Sequence, residues 1–357
     1  MTARGHVLVA RQDSAGDVLL AGPAVRAVAA GAGKVTLLCG SRGREAAGLL
    51  PGVGEVLVQH AAWIDAEPEP VTRPAVDALV DELAGRAIDQ AFVITSFHQS
   101  PLPLALLLRM AGVPMIAAIS VDYPGSLLDV RHEVDDDLHE VERTLSLVGT
   151  LGYRLPEGDD GRLRVRRARA AGSAQIGAHP YVVVHPGASA PARAWAPQRY
   201  AALVAALVAA GRRVVVTGAE HERTLTALVT GPPRCAVVDL GGQVDLAGLA
   251  EVLAGADVLV VGNTGPAHLA AAVGTPVVSL FAPIVPAVRW RPWKVPHVLL
   301  GDQHAACAGS RVRTCPVAGH PCLDGVQVDE VVAAVDRVAP AAIARTRPMR
   351  AAEGVTG

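Results

Sequence analysis

The sequence predicts an α/β fold of two doubly wound domains, on three observations. Short β-rich runs alternate with Ala/Leu-rich helical stretches; the alternation breaks at the polar, Arg/Gly-rich stretch Pro156–Pro180; beyond it the alternation restarts. Strands that alternate with helices call for parallel sheets covered on both faces. At 357 residues the chain also exceeds one ordinary core. The expected division is residues 1–165, then 175–338, with a frayed tail at 339–357 after Pro340 stops the last helix.

In the first half, strands are expected at His6–Ala10, Val35–Cys39, Val56–Gln59, Ala91–Thr95 and Met115–Ile119. Helices are expected around Pro23–Ala30, Arg42–Leu50, Val76–Gly85 and Leu102–Ala111, with an acidic amphipathic helix near Asp135–Leu151. In the second half the strands are Tyr181–His185, Arg213–Thr217, Ala236–Asp239, Val258–Val261 and Pro276–Leu280. Helices fall at Tyr200–Ala210, Glu222–Val229, Leu246–Ala254 and Val328–Val338, and Phe281–Asp324 reads as irregular. No short repeat period is visible.

Hydrophobic residues make up 51% of the chain and charged residues 18%, which describes a well-buried globular protein rather than a disordered one. A net charge of −2 gives no electrostatic basis for nucleic acid as a partner. No apolar run reaches membrane-spanning length and no cationic, apolar signal opens the chain, so a cytoplasmic protein is expected. Any membrane contact is then peripheral, at the inner face of the cytoplasmic membrane. Five cysteines argue against a complete disulfide framework. Cys39 and Cys235 adjoin strand-like runs and read as core thiols. Cys307, Cys315 and Cys322 cluster near His304 and His320, but their spacing matches no common zinc pattern, so reduced structural thiols are expected and no metal.

The most informative stretch is Val261–Ala270, VGNTGPAHLA, between an apolar strand and a helix that ends at Gly274. Proline near the first helical position and glycine just past the end delimit that helix. A tight turn there presents backbone N–H groups at a helix N-terminus, an anion site, to which His268 adds a donor. An ordinary strand–helix connection is the plain alternative. Arg193, in the loop after YVVVHPGAS, is either the cation that neutralises a phosphate held near Gly265 and Pro266 or a solvated surface arginine. Gly218 and Glu222 follow the next strand; Glu222 reads as a ribose ligand or as a first-turn helix acid. In the first half, Arg11-Gln12-Asp13-Ser14-Ala15-Gly16-Asp17 follows the first strand, at the carboxyl edge where α/β sheets bind ligands. Asp17 is either a helix-capping acid or a general base facing the cleft, and Asp13 competes for either role. His221-Glu222 lacks the second histidine of a zinc-protease motif, and GxSxG, GxxxxGK[ST] and an early GxGxxG are missing.

Together these segments resemble glycosyltransferase family 9, the family of bacterial ADP-heptose:lipopolysaccharide heptosyltransferases. The carriers are Ser14–Asp17 with Pro23, Pro103–Gly112, His139–Leu145, His185–Ala188 with Arg193 and Trp195, and above all Asn263–Gly274. Arg313–Pro316 and Pro321–Leu323 resemble a cysteine pattern of many members. The resemblance implies a GT-B architecture, two Rossmann-like domains facing across a cleft. It implies inverting, metal-independent transfer of a sugar, heptose from ADP-heptose, onto an acceptor hydroxyl. It also implies no bound cofactor beyond the nucleotide-sugar co-substrate, and a glycan, glycolipid or secondary-metabolite acceptor. Asp17 matches the family's presumed base, which favours base over cap. Arg193 stands where the family usually carries a phosphate-binding lysine. Thr264, Gly265 and His268 match the loop holding the diphosphate and donor sugar, and Glu222 falls near the ribose-contacting acid. Arg11, Ser14 and Gly16 are the expected acceptor contacts. Asn263 replaces the aspartate of the family's DTG motif; an amide still hydrogen-bonds sugar hydroxyls but cannot carry charge or act as a base. The competing readings are a catalytically degenerate nucleotide- or glycan-binding homologue, motivated by Asn263, and a nucleotide-sugar 2-epimerase-like enzyme.

Overall fold

The computed structural model describes residues 4–65, 67–167, 176 and 180–339. Most of the Pro156–Pro180 stretch from residue 168 on, and the tail from residue 340, lie outside the described residues. Two six-stranded parallel sheets form, one from each half of the chain. The first comprises β1 (Arg4–Arg11), β2 (Ala32–Cys39), β3 (Glu55–Val58), β4 (Gln90–Val93), β5 (Met115–Ile119) and β6 (Val130–His132), in the order β3-β2-β1-β4-β5-β6. The second comprises β7 (Tyr181–His185), β8 (Arg213–Val216), β9 (Val237–Asp239), β10 (Val258–Gly262), β11 (Val277–Leu280) and β12 (His297–Leu300), in the order β12-β11-β10-β7-β8-β9.

The same winding thus occurs twice, with the order reversing beside β1 in one sheet and beside β7 in the other. Val9 pairs with Leu37 on one side and Phe92 on the other; in β7, Val183 pairs with Val215 on one side and Leu259 on the other. Such central strands are buried on both faces, which is why Val7–Ala10 and Val182–Val184 are continuous apolar runs.

The helices of the first half are α1 (Ala15–Leu20), α2 (Gly22–Ala29), α3 (Arg44–Leu49), α4 (Arg73–Ala84), α5 (Leu102–Met110) and α6 (Glu140–Gly149). Those of the second are α7 (Pro197–Ala209), α8 (Arg223–Thr230), α9 (Leu246–Ala254), α10 (Gly265–Val273), α11 (Ala287–Trp290), α12 (Pro321–Asp324) and α13 (Val328–Val338). Leu8 and Ala10 face α4 and α5, whereas Val7 and Val9 face α1, α2 and α6. The second group continues without a break into Leu249, Leu253, Leu269 and Ala270 of the other half, so one apolar cluster joins the two sheets' helical layers. That packing sets α1 against α10 and fixes how the two halves face each other.

Two strands depart from expectation. β12 lies in the stretch expected to be irregular and β6 in a stretch where no element is expected, and each is an edge strand of its sheet. Edge strands pair on one side only, and both are half-buried or exposed along their length, so neither shows a strong apolar pattern. The thiols also divide: Cys39 is buried as expected, but Cys235 is exposed, because it precedes β9 instead of lying in it. Among the described residues, no helix is long and apolar enough to cross a membrane.

Candidate active site

Ligand sites of open α/β sheets lie beyond the strand carboxyl ends, where the strand order reverses. Here both reversal points open on the same space. The loops after β1 and β4 contribute Asp13, Ser14, Asp17, Ser96, His98 and Gln99; those after β7 and β10 contribute Ser189, Arg193, Asn263, Thr264 and Gly265. The cavity they line has a volume of about 290 Å³, and His268, Trp290, Arg311 and Arg313 complete its wall.

On the first-domain side the site is built around a buried guanidinium. Arg11, 1% exposed, donates to Asp17 Oδ1 at 2.9 Å, Ser96 Oγ at 2.9 Å and Glu140 Oε2 at 3.3 Å, and its Nε lies 2.9 Å from Asp13 Oδ2. Glu140 in turn accepts from Arg143 at 2.7 Å. Three carboxylates thus surround one cation that cannot lose its proton. Of the expected acceptor contacts, Ser14 and Gly16 line the cavity, whereas Arg11 is buried behind it and held by carboxylates.

Asp17 sits in the first turn of α1 but takes its hydrogen bonds from side chains: Arg11, Ser14 Oγ at 2.7 Å to Oδ2, and the Trp290 indole at 3.3 Å to Oδ1. Burial would raise its pKa, but the Arg11 charge and the Ser14 and Trp290 hydrogen bonds, with help from His268, carry it below the ordinary carboxylate range. Asp13 goes the other way. Burial pushes it up to about 6, against the attraction of Arg11 and with the added repulsion of Asp17. The two candidate acids are therefore separated: Asp17 is ionised at neutral pH and accessible from the cavity, while Asp13 is tied to Arg11 and Gln99.

On the second-domain side, Thr264 precedes α10 in an extended conformation, Pro266 stands in its first turn, and Gly274 ends it at φ 85°. Within the turn Thr264 N–H bonds Gly262 O and Ala267 N–H bonds Thr264 O, and Pro266 has no N–H. The anion site is accordingly smaller than a bare helix terminus, with the Gly265 amide as the turn's open backbone donor. Side chains supply the rest. Thr264, Arg193 and His268 line the cavity, and Thr264 Oγ1, Arg193 Nε and His268 Nδ1 are buried without a protein partner. Burial, reinforced by Arg193 and opposed by Asp17, pulls the His268 pKa down to about 4, so the ring is neutral at pH 7. Burial also lowers the Arg193 pKa, against the pull of Asp17, and its Nη1 donates to Asn263 O at 3.3 Å.

Asn263 is committed elsewhere. Its Nδ2 donates to Ala282 O and its Oδ1 accepts from Ala282 N–H, both at 3.2 Å, so the amide ties the β10 turn to the end of β11. Glu222 and Gly218 do not line the cavity. Glu222 Oε2 accepts from Ala219 N–H at 2.8 Å, as an acid at a helix start does, while its carboxylate lies over Gly187 and 3.9 Å from His185 Nε2.

Sequence reasoning missed His98, Gln99, Trp290, Arg311 and Arg313 as wall residues. The run TSFHQS after β4 was the available signal, since it leaves the strand next to the reversal point. Among the described residues, no group of three or more His, Cys, Asp or Glu is arranged to hold a metal, the three late cysteines included.

Comparison with known proteins agrees with this architecture. A family described as glycosyltransferase family 9 (heptosyltransferase) matches residues 78–320, more than half of the chain. Lipopolysaccharide heptosyltransferase 1 of Pseudomonas aeruginosa is 34% identical over 212 residues, 56% of this chain and 57% of that protein. Lipopolysaccharide heptosyltransferase 3 of Escherichia coli is 33% identical over 116 residues, 32% of this chain and 34% of its own length. The chain thus spans about a third to just over half of these relatives. Among solved structures, a family 9 glycosyltransferase of Veillonella parvula superposes with a TM-score of 0.74 at 14% identity, covering 94% of this chain and 97% of that one. E. coli ADP-heptose LPS heptosyltransferase II gives 0.71 at 18%, covering 94% and 99%. E. coli heptosyltransferase WaaC, solved with ADP-2-deoxy-2-fluoro heptose, gives 0.68 at 21%, covering 93% and 99%. The shared fold is GT-B, and with the family match across residues 78–320 the chain belongs to glycosyltransferase family 9.

Proposed function

We propose that this protein transfers a sugar, heptose from ADP-heptose, onto an acceptor hydroxyl by a single inverting displacement that needs no metal. The observation that carries the reading is the placement of Asp17, an ionised carboxylate of one domain, in the same cavity as Thr264, Gly265 and Arg193 of the other. The acceptor lies against the first domain with its hydroxyl at Asp17. The donor lies against the second, its diphosphate on Thr264, the Gly265 amide and Arg193. Asp17 takes the hydroxyl proton as the oxygen attacks the anomeric carbon, and the nucleoside diphosphate leaves from the opposite face. Charge building on the departing diphosphate is met by Arg193, with Arg311 and Arg313 also on the cavity wall, so the positive charge is built into the chain. The relatives' printed names, lipopolysaccharide heptosyltransferases, support heptose as the sugar and a lipopolysaccharide-type glycan as the acceptor. The absence of a spanning helix among the described residues is compatible with work at the inner face of the cytoplasmic membrane.

The degenerate-homologue reading rests on Asn263. Because that amide is engaged with Ala282 and the carboxylate at Asp17 is retained, turnover is favoured. The test is to incubate the purified protein with ADP-heptose and heptose-deficient lipopolysaccharide, with and without EDTA, and to follow ADP release, product mass and anomeric configuration. Transfer with inversion, unaffected by EDTA and abolished in Asp17→Ala, is the expected result. ADP binding with no transfer and no donor hydrolysis would overturn it.

A further inference from the structure

We infer that Trp290 is a positioning residue for Asp17, supplied from the opposite domain, so that the carboxylate is fully oriented only when the two domains are docked. The inference rests on the reading of Asp17 as the base. Two of that carboxylate's three donors, Arg11 and Ser14, belong to its own domain and would be present however the halves are arranged. The third does not: the Trp290 indole N–H reaches Oδ1 at 3.3 Å from the end of α11. Oδ1 then holds both Arg11 and Trp290, whereas Oδ2 holds Ser14 alone. Oδ2 is therefore the oxygen left to receive a proton from an acceptor hydroxyl.

The short helix that bears Trp290 is fastened to the first domain on both sides. The Arg289 guanidinium lies 4.3 Å over the Phe97 ring and pairs with Asp136 at 2.9 Å. Just beyond Trp290, Arg291 O accepts from His139 Nε2 at 2.9 Å, and the His139 ring stacks on Trp293 at 4.3 Å. Trp290 itself leans on Phe97 with ring centroids 5.7 Å apart. Contacts made only across the cleft thus fix the residue that fixes the base. The charged and titratable groups around Asp17 come from other elements: Arg11 and Asp13 at the end of β1, Glu140 behind Arg11, His98 after β4, Arg193 after β7, and His268 on α10. Exchange of the indole for an uncharged ring leaves all of them in place.

The test is Trp290→Phe, which keeps an aromatic ring against Phe97 and removes the donor. The titration midpoint of the Asp17 carboxyl carbon, followed by NMR in the ligand-free protein, is expected to rise by about one pH unit. Transfer from ADP-heptose to heptose-deficient lipopolysaccharide is expected to lose about tenfold in kcat, with donor KM within about twofold. Arg289→Gln, which loosens α11 without touching the indole, should move the same midpoint in the same direction by less. An unmoved midpoint, or a rise in KM at constant kcat, would overturn the inference. Asp17→Asn separates the two levels: if it transfers normally, the base reading fails and this inference with it. If it is inactive while Trp290→Phe behaves as wild type, only the inference fails.

Discussion

Gly16 and Gly265 meet across the interdomain cleft: a β-carbon built on Gly16 would lie 3.1 Å from the Gly265 Cα and 3.1 Å from His268 Cδ2. The two helix starts approach this closely because Gly16 carries no side chain; a β-carbon on Gly265 would meet Gly16 N at 3.5 Å, an ordinary contact. A β-carbon on Gly16 must push Gly265 and His268, and with them the Thr264 turn, away from Asp17 by a few tenths of an ångström. Gly16→Ala should fold normally and lose about tenfold in kcat/KM for transfer, since small misplacements of reacting groups are costly. Gly16→Val, with two more carbons in the gap, should lose about a hundredfold or more. Wild-type kinetics in Gly16→Val would mean that the contact is not kept during turnover.

Arg11 is the residue whose removal harms folding as well as chemistry. Its loss leaves Asp13 as a buried acid without its cation, Glu140 with Arg143 alone and Asp17 without its guanidinium donor. Arg11→Met should destabilise by about 3–5 kcal/mol in urea unfolding. The check is the midpoint shift at constant slope, and a change under about 1 kcal/mol would contradict the network.

The Asp13 carboxyl sets a pH dependence of stability with a definite sign. Its folded pKa, about 6, lies above the ordinary 3.8, so the folded state holds this proton more tightly than the unfolded state. Its contribution is therefore present at low pH and lost as pH rises from about 4 through about 6, on the order of 3 kcal/mol. Asp17, whose pKa is lowered, contributes in the opposite direction, with stability lost as pH falls below the ordinary carboxylate range. Asp13→Asn should remove the first trend and keep the second, visible as the loss of the fall in stability between about pH 4 and 6. Parallel curves for the two proteins would show that Asp13 does not titrate in this window.

Asn263→Asp restores the residue usual in the family, and here it should do harm. A carboxylate can still accept from Ala282 N–H, but its second oxygen would face Ala282 O, where the amide now donates. A cost of about 1–3 kcal/mol is expected, read as a lower Tm, with no gain in kcat. A faster enzyme with unchanged Tm would place the family aspartate's role in this chain as well.

Arg193→Ala should weaken ADP binding by about 10–100-fold in calorimetric titration, as expected for one charge-assisted contact to a phosphate. Arg193→Lys should recover part of that loss, because it restores charge without the planar fork. Unchanged affinity in the alanine variant would remove Arg193 from the diphosphate site.

The alternation of apolar strands and Ala/Leu-rich helices carried the doubly wound fold in the sequence itself, because burial on both faces of a parallel strand leaves a continuous apolar run that is local in the chain. Proline in the first turn of α10 and Gly274 at its end were legible for the same reason: they act on their own backbone. What the chain does with Arg11, Asn263 and Trp290 was not legible. A buried guanidinium, an amide turned toward Ala282 and an indole aimed at Asp17 depend on residues 19 to 273 positions away. The sequence by itself thus determined the central strands and most of the helices, the family motifs and the candidacy of Asp17. Only the tertiary structure decided which acid stays ionised and that the two domains complete one site, because charge burial and hydrogen-bond partners are set by neighbours in space.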